Sequence, residues 1–208
     1  MKWAQTLDGR AAAADGSSQW ITGVDARGDV HRRRAEADAI LVGTGTLLAD
    51  DPALTARAET GGLLVPAAEQ PVPIVLGRRE IPAKAKLREH PALAARGLAA
   101  PLQFSGDDIP GMLAELHDMG ITRLFVEGGP SVASAFLATG LVDDLLVYIA
   151  PALLGGQHLA LGDIGVDSMA GIRRVRVQHM AMLGADLLLR GSLVSYATPS
   201  PTNPAVQA

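Results

Sequence analysis

The sequence contains no cysteine. That excludes disulfides and any zinc site built on cysteine thiolates. It also suits a reducing compartment, and the expectation is a cytoplasmic protein. Aromatic residues make up only 3 % of the chain, too few for a platform on which single-stranded bases stack. Positive charge is not in excess: 18 Lys+Arg face 22 Asp+Glu, a net charge of −4. General nucleic-acid binding through phosphate neutralisation is therefore not expected. No apolar run approaches the roughly 20 residues of a membrane span. Met1-Lys2-Trp3-Ala4-Gln5, followed at once by Asp8 and Arg10, does not read as a secretory leader. There is no internal repeat.

What is there describes one ordinary globular domain. The chain has 208 residues, 48 % of them apolar, and a mean hydropathy of +0.21, enough to build a sizeable core. The domain is expected over residues 1–196. The remainder, 197–208, is polar and Pro-rich around Pro199, Pro201 and Pro204, and reads as a disordered tail.

The chain is organised around Thr122-Arg123-Leu124-Phe125-Val126-Glu127-Gly128-Gly129-Pro130-Ser131-Val132-Ala133-Ser134-Ala135. Leu124 to Val126 suit a strand. Gly128 and Gly129 permit a sharp turn. Pro130 suits the first turn of a helix, where its missing N–H is no loss. The small residues that follow allow close approach to the helix start, which favours a phosphate. Glu127 repels phosphate and is better used to accept hydrogen bonds from a substrate ring or hydroxyl. The same residues also fit a plain strand–turn–helix with a solvated glutamate.

Other stretches carry similar signals. Lys2 to Thr6 reads as a strand, and Asp8-Gly9 as a turn. This strand lies so close to the first residue that a fragment of a longer protein is expected. Asp15 to Thr22 is a polar loop whose Trp20 could face a ligand or the core. A helix is expected over Val24–Ala37, capped by Thr22 or Gly23. It would place Arg27, His31 and Arg34 on one face, as a phosphate site or a solvated basic face. Asp38 to Gly43 is a near-continuous apolar strand. It leads into Thr44-Gly45-Thr46 and a short helix ending at Asp50-Asp51-Pro52. The Gly43/Gly45 pair lacks the third glycine of a dinucleotide fingerprint, and no P-loop Gly-Lys-Ser/Thr is present. The paired aspartates could serve a metal or a turn. Glu59 to Gln70 reads as a mobile loop. A strand in Pro71–Gly77 precedes Arg78-Arg79, which could hold a 2′-phosphate or be solvated. A strand at Pro101–Phe104, a helix over Asp107–Gly120, a strand over Val142–Pro151 and a closing antiparallel pair complete the pattern. The fold class expected is α/β with a mixed, mainly parallel sheet.

Six blocks together are similar to a known family: Lys2 to Arg10, Ser18 to Thr22, Leu48 to Arg57, Val126 to Pro130, Ala150 to Gly156 and Gly184 to Leu188. They resemble the reductase domain of bacterial riboflavin biosynthesis. That family has a dihydrofolate-reductase-like fold and reduces 5-amino-6-(5-phosphoribosylamino)uracil with NADPH. The resemblance implies cofactor contacts at Ala4, Trp20, Thr46, Asp50 and the helix start Gly129, Pro130, Ser131, Val132, Ala133, Ser134 and Ala135. Arg78 falls near the cofactor's phosphate end. It implies substrate contacts at Ser18, Arg34, Leu54, Arg57 and Glu127, with Arg34 and Arg57 on the ribose phosphate. Lys2, Asp50 and Glu127 are the implied catalytic group, and no metal is needed. A homodimer is implied, for which Val142–Ile149 offers an apolar surface. In most bacteria a zinc deaminase domain precedes this one; its Pro-Cys-x-x-Cys signature has no counterpart here. Two other readings remain open: a reductase of the same fold acting on a pterin or another pyrimidine, and a nucleotide-binding module without catalysis.

Overall fold

A computed structural model describes residues 1–194; the tail expected to be disordered lies outside the described residues. In chain order the elements are β1 (Lys2–Thr6), α1 (Val24–Ala35), β2 (Ala39–Gly43), α2 (Thr44–Asp50), β3 (Val72–Leu76), α3 (Pro91–Ala95), β4 (Leu102–Phe104), α4 (Ile109–Asp118), β5 (Leu124–Val126), α5 (Pro130–Thr139), β6 (Leu145–Ala150), β7 (Val175–Leu183) and β8 (Asp186–Leu193).

The strands form two four-stranded sheets, ordered β4-β3-β2-β5 and β1-β6-β8-β7. Every pairing in the first is parallel. In the second, β1 runs parallel to β6, while β8 is antiparallel to both β6 and β7. The sheets adjoin where β1 faces β5. There Met1 and Val126 share one core, and Lys2 approaches Glu127.

The apolar strands sort by alternation. Ala39 and Leu41 join Ile74, Leu76 and Val126 on one face, against Met112 and Leu116 of α4 and Phe136 and Leu137 of α5. Ile40 and Val42 join Val75, Phe125, Leu146, Tyr148 and Leu188 on the other, against Ala26 and Val30 of α1 and Leu47 of α2. Period-two geometry sends neighbouring side chains to opposite faces. A parallel sheet covered on both sides therefore needs apolar residues at every position, and all five of β2 are buried.

Helix ends follow local chemistry. The Asp108 carboxylate accepts from Gly111 N–H at 2.9 Å, and Gly120 leaves α4 at φ +81°. The expected Thr22 or Gly23 cap of α1 is Gly23 without a side-chain bond. Gly23 N–H instead donates to Asp186 at 2.6 Å, so the β7–β8 turn supplies the negative charge that this helix start favours. The short helix α3 was not anticipated.

Two expectations change. Val142–Ile149 does not offer a dimer surface, because β6 lies between β1 and β8 and is buried almost throughout. The apolar side chains exposed in this sheet are Val175, Val177, Met180 and Met182 of β7. The loop 59–70 is tied down: Arg57 bridges to Leu63, and Gln70 is fully buried. Among the described residues, no helix is long and apolar enough to cross a membrane.

Candidate functional site

Parallel strands deliver their carboxyl ends to one edge, and there three glycine turns close on one another. A Cβ on Gly43, after β2, would lie 2.7 Å from Val132 Cγ2, and one on Gly128, after β5, would also collide with Val132. A Cβ on Gly77, at φ +127° after β3, would meet Thr44 Oγ1. Both β2 and β5 thus end in notches that Val132 of α5 fills. Thr46 reaches the same place, its Oγ1 3.3 Å from where a Gly129 Cβ would stand.

Helix α5 opens with Ala133 N–H donating to Gly129 C=O at 3.0 Å. The N–H groups of Ser131 and Val132 precede that first helical bond and suit an anion. Not all of Gly129–Ala135 faces this edge. Ala133 lies in the core, and Ser134 Oγ accepts from Gly162 N–H at 2.8 Å. Those two residues serve the helix's seat.

Glu127 follows β5 directly and is the centre of a charged group between the two sheets. Arg34 of α1 holds it with two parallel bonds, Nε to Oε1 at 2.6 Å and Nη2 to Oε2 at 3.0 Å. Lys2 Nζ stands 3.9 Å from Oε2 and 5.8 Å from the Tyr148 ring centroid. The pair is well removed from water, with side-chain exposures of 13 % for Arg34 and 8 % for Glu127. Burial alone would raise the carboxyl pKa; the Arg34 guanidinium and then Lys2 outweigh it and hold Glu127 below the usual range. Burial lowers the Lys2 ammonium, opposed by Glu127. Beneath this group Tyr148 OH donates to Asp29 at 2.6 Å, joining β6 to α1.

The basic face expected on α1 is divided among partners. Arg27 stacks on Trp20, 4.6 Å from the ring centroid. Arg34 also donates from Nη1 to Thr55 C=O at 3.1 Å. His31 Nδ1 lies 3.2 Å from Arg57 N–H. Burial, then the charges of Arg34 and Arg57, push His31 down to about 4, so the ring is neutral at pH 7. Nδ1 also lies 3.2 Å from Thr55 C=O, so one tautomer donates to Thr55 and the other accepts from Arg57 N–H. The Arg57 side chain is exposed and makes no ion pair among the described residues. Leu54 is buried in the left-handed region at φ +58°.

The other expected residues border this edge. Ala4 pairs with Tyr148 in the β1–β6 register. Ser18 and Trp20 line a hollow of about 210 Å³ with Thr6, Ala13, Ala152 and Leu154, and Trp20 is 70 % exposed. Asp50 ends α2, half-buried. Asp51 turns to Lys86, 3.7 Å from its Nζ, and among the described residues no metal-binding cluster occurs. Arg78 is drawn to Asp107 at 2.5 Å. Its neighbour Arg79 donates to Thr44 Oγ1 at 3.3 Å and lies over Gly45. Arg79 was singled out in the sequence only together with Arg78; Asp29, Tyr148, Gln70 and His90 were not. Gln70 just before the Pro71–Leu76 apolar run was the one visible hint, a polar residue where burial begins.

The RibD C-terminal domain family model matches residues 1–189. The chain belongs to this family. A riboflavin biosynthesis protein RibD of Mycobacterium tuberculosis is 46 % identical over 188 residues, covering 90 % of this chain and 52 % of that protein. This chain thus spans about half the length of the RibD relatives it matches. A Methanothermobacter thermautotrophicus protein named 2,5-diamino-6-ribosylamino-4(3H)-pyrimidinone 5′-phosphate reductase is 35 % identical, with 89 % of this chain and 93 % of that one covered. Among solved structures, Acinetobacter baumannii RibD superposes with a TM-score of 0.80 at 31 % identity, over 93 % of this chain and 57 % of that one. An Enterococcus faecalis dihydrofolate reductase shares the fold with a TM-score of 0.54 at 14 % identity, covering 93 % and 95 % of the two chains. The family's α/β fold, with a parallel sheet and a closing antiparallel pair, is therefore the dihydrofolate-reductase-like one expected.

Proposed function

We propose that this chain reduces the ribosyl group of 5-amino-6-(5-phosphoribosylamino)uracil to the ribityl product, with NADPH as reductant. The observation that carries the reading is Glu127: a buried carboxylate fixed by Arg34 and Lys2 at the strand ends, beside the Gly128-Gly129 turn. Family membership and the reductase relative support it.

The residues present fit a dinucleotide. The free N–H groups at the start of α5 suit its pyrophosphate, and Thr46 and Asp50 flank that place. Arg79, over Thr44 and Gly45, suits a 2′-phosphate better than Arg78, which Asp107 already holds. When bound, the reduced nicotinamide supplies a hydride to C1′ of the ring-opened imine, and a proton goes to the adjoining nitrogen. The protein supplies position and electrostatics. Glu127 accepts hydrogen bonds from the pyrimidine. Lys2 hydrogen-bonds the ribose hydroxyls. Arg57 takes most of the phosphate charge, because the charge of Arg34 is already answered by Glu127; Arg34 keeps two of its five N–H donors for the same group. Ser18 and Leu54 border the substrate, and Ala4 and Trp20 the nicotinamide end.

The second reading is reduction before deamination, on the diamino form named in the archaeal relative. Loss of NADPH absorbance with the deaminated and the undeaminated pyrimidine, run in parallel, decides between them. Turnover on the deaminated form alone supports the first. Binding of NADPH with no turnover on either sinks both and leaves a nucleotide-binding module. The expected homodimer would use the exposed β7 face, and sedimentation of the purified chain tests it. A deaminase partner, fused or separate, and a cytoplasmic location remain part of this reading.

A further inference from the structure

The segment Leu54–Arg57 belongs to no sheet, yet Leu54, Thr55 and Ala56 are all buried. Buried backbone N–H and C=O groups need partners. Leu64 N–H donates to Ala56 C=O at 3.0 Å, and side chains provide the others. Gln70 Oε1 accepts from Ala56 N–H at 2.8 Å, and Gln70 Nε2 donates to Ala56 C=O at 3.1 Å. One amide thus reads both polar groups of a single residue, as a neighbouring strand would. The second Nε2 proton goes to Val65 C=O, also at 3.1 Å. Gln70 is 0 % exposed and stands two residues before β3, so it links the Ala56 backbone to the central sheet. Arg57 follows Ala56 directly. Its own N–H lies 3.2 Å from His31 Nδ1, and its side chain is exposed.

We propose that Gln70 is a positioning residue for substrate binding: it fixes the backbone at Ala56 so that the Arg57 guanidinium stands where the substrate's phosphate arrives. Without this clamp the Ala56 N–H loses its partner and the Ala56 C=O keeps only Leu64 N–H, which loosens a segment whose Leu54, at φ +58°, is in a conformation that only the surroundings maintain. Displacement of Arg57 by about 1 Å is enough to lose most of a positioned charge contact. The inference rests on the reading of Arg57 as the phosphate's partner.

The test is steady-state kinetics of the full chain with Arg57→Ala, Gln70→Met and the double variant, each with the phosphorylated pyrimidine and its dephosphorylated form. Gln70→Met keeps length and volume but removes both bonds to Ala56. Expected is a KM for the phosphorylated substrate raised about 10-fold by Gln70→Met and about 10- to 100-fold by Arg57→Ala. The KM for NADPH and kcat should move little. The double variant should match Arg57→Ala alone, because Gln70 acts through Arg57. The dephosphorylated substrate should respond to neither. If Arg57→Ala leaves KM unchanged, the phosphate reading itself fails. If Arg57→Ala raises KM and Gln70→Met does not, or if the two effects multiply, the positioning role is overturned. Should Gln70→Met not fold, Gln70→Asn, whose amide is one methylene short of Ala56, is measured in its place with the same expectations. Failure of both to fold makes Gln70 a residue of the core and overturns the proposal.

Discussion

Glu127→Gln is the substitution that most directly probes the charged group between the sheets. The wild-type carboxylate answers two cations, Arg34 through two bonds of 2.6 and 3.0 Å and Lys2 at 3.9 Å. Glutamine keeps the shape and one acceptor, but its amide NH₂ then confronts either Arg34 Nη2 or Nε, donor against donor. Removing one member of a buried ion pair costs about 3–5 kcal/mol. Retaining one hydrogen bond should reduce that to about 2–3 kcal/mol, against a net stability of roughly 5–15 kcal/mol for a domain. The variant should therefore fold, with its melting temperature lowered by about 5–10 °C. The effect on chemistry should be larger. Loss of the fixed acceptor and the added net positive charge should lower kcat about 100-fold, while KM for NADPH changes little. The pH dependence has a definite sign. Glu127 is held below the usual carboxylate range, so its contribution is present above the unfolded value near 4.3 and is lost as pH falls through the folded value. The stability gap between wild type and variant should be full at pH 7 and shrink in acid. Stopped-flow turnover and melting curves measure both. Unchanged kcat would refute the role of Glu127; an unchanged melting temperature would refute the argument from the buried pair.

Two further outcomes follow from the same geometry. Arg79→Ala should raise KM for NADPH about 10-fold and leave that for NADH unchanged, whereas Arg78→Ala should alter neither; the reverse order, measured by cofactor titration, would return the 2′-phosphate to Arg78. His31 and His90 are both pushed down to about 4, chiefly by burial, while the unfolded imidazoles take protons near 6.5. Stability should therefore fall as pH drops from 6.5 toward 4, by roughly 3 kcal/mol for the 3 % exposed His90 and less for half-buried His31. A melting temperature flat between pH 7 and 5 would contradict this.

Much of the fold was legible because its signals are local. The all-apolar Ala39–Gly43 run announced a strand covered on both faces, and Gly-Gly-Pro announced the turn into α5. The helix α3 was missed because Pro82–Ala100 carries no clear period. The site was legible in part. Glu127 and Arg34 could each be singled out, but they lie 93 positions apart, and nothing in either neighbourhood says that one neutralises the other. The same holds for Gln70: an isolated glutamine reads as a loop residue until tertiary structure shows whose backbone it completes. Arg78 and Arg79 are adjacent and alike in sequence, and only the position of Asp107 separates them.

The seat of Val132 carries a consequence for how such a chain can change. One isopropyl group occupies two glycine notches, at Gly43 and Gly128, so these three positions form a single packing unit. Alanine at either glycine demands something smaller at 132, and anything larger at 132 has nowhere to go. Homologous chains should therefore drift at these sites together or not at all, and a library varied at one of them alone should return mostly the starting residue.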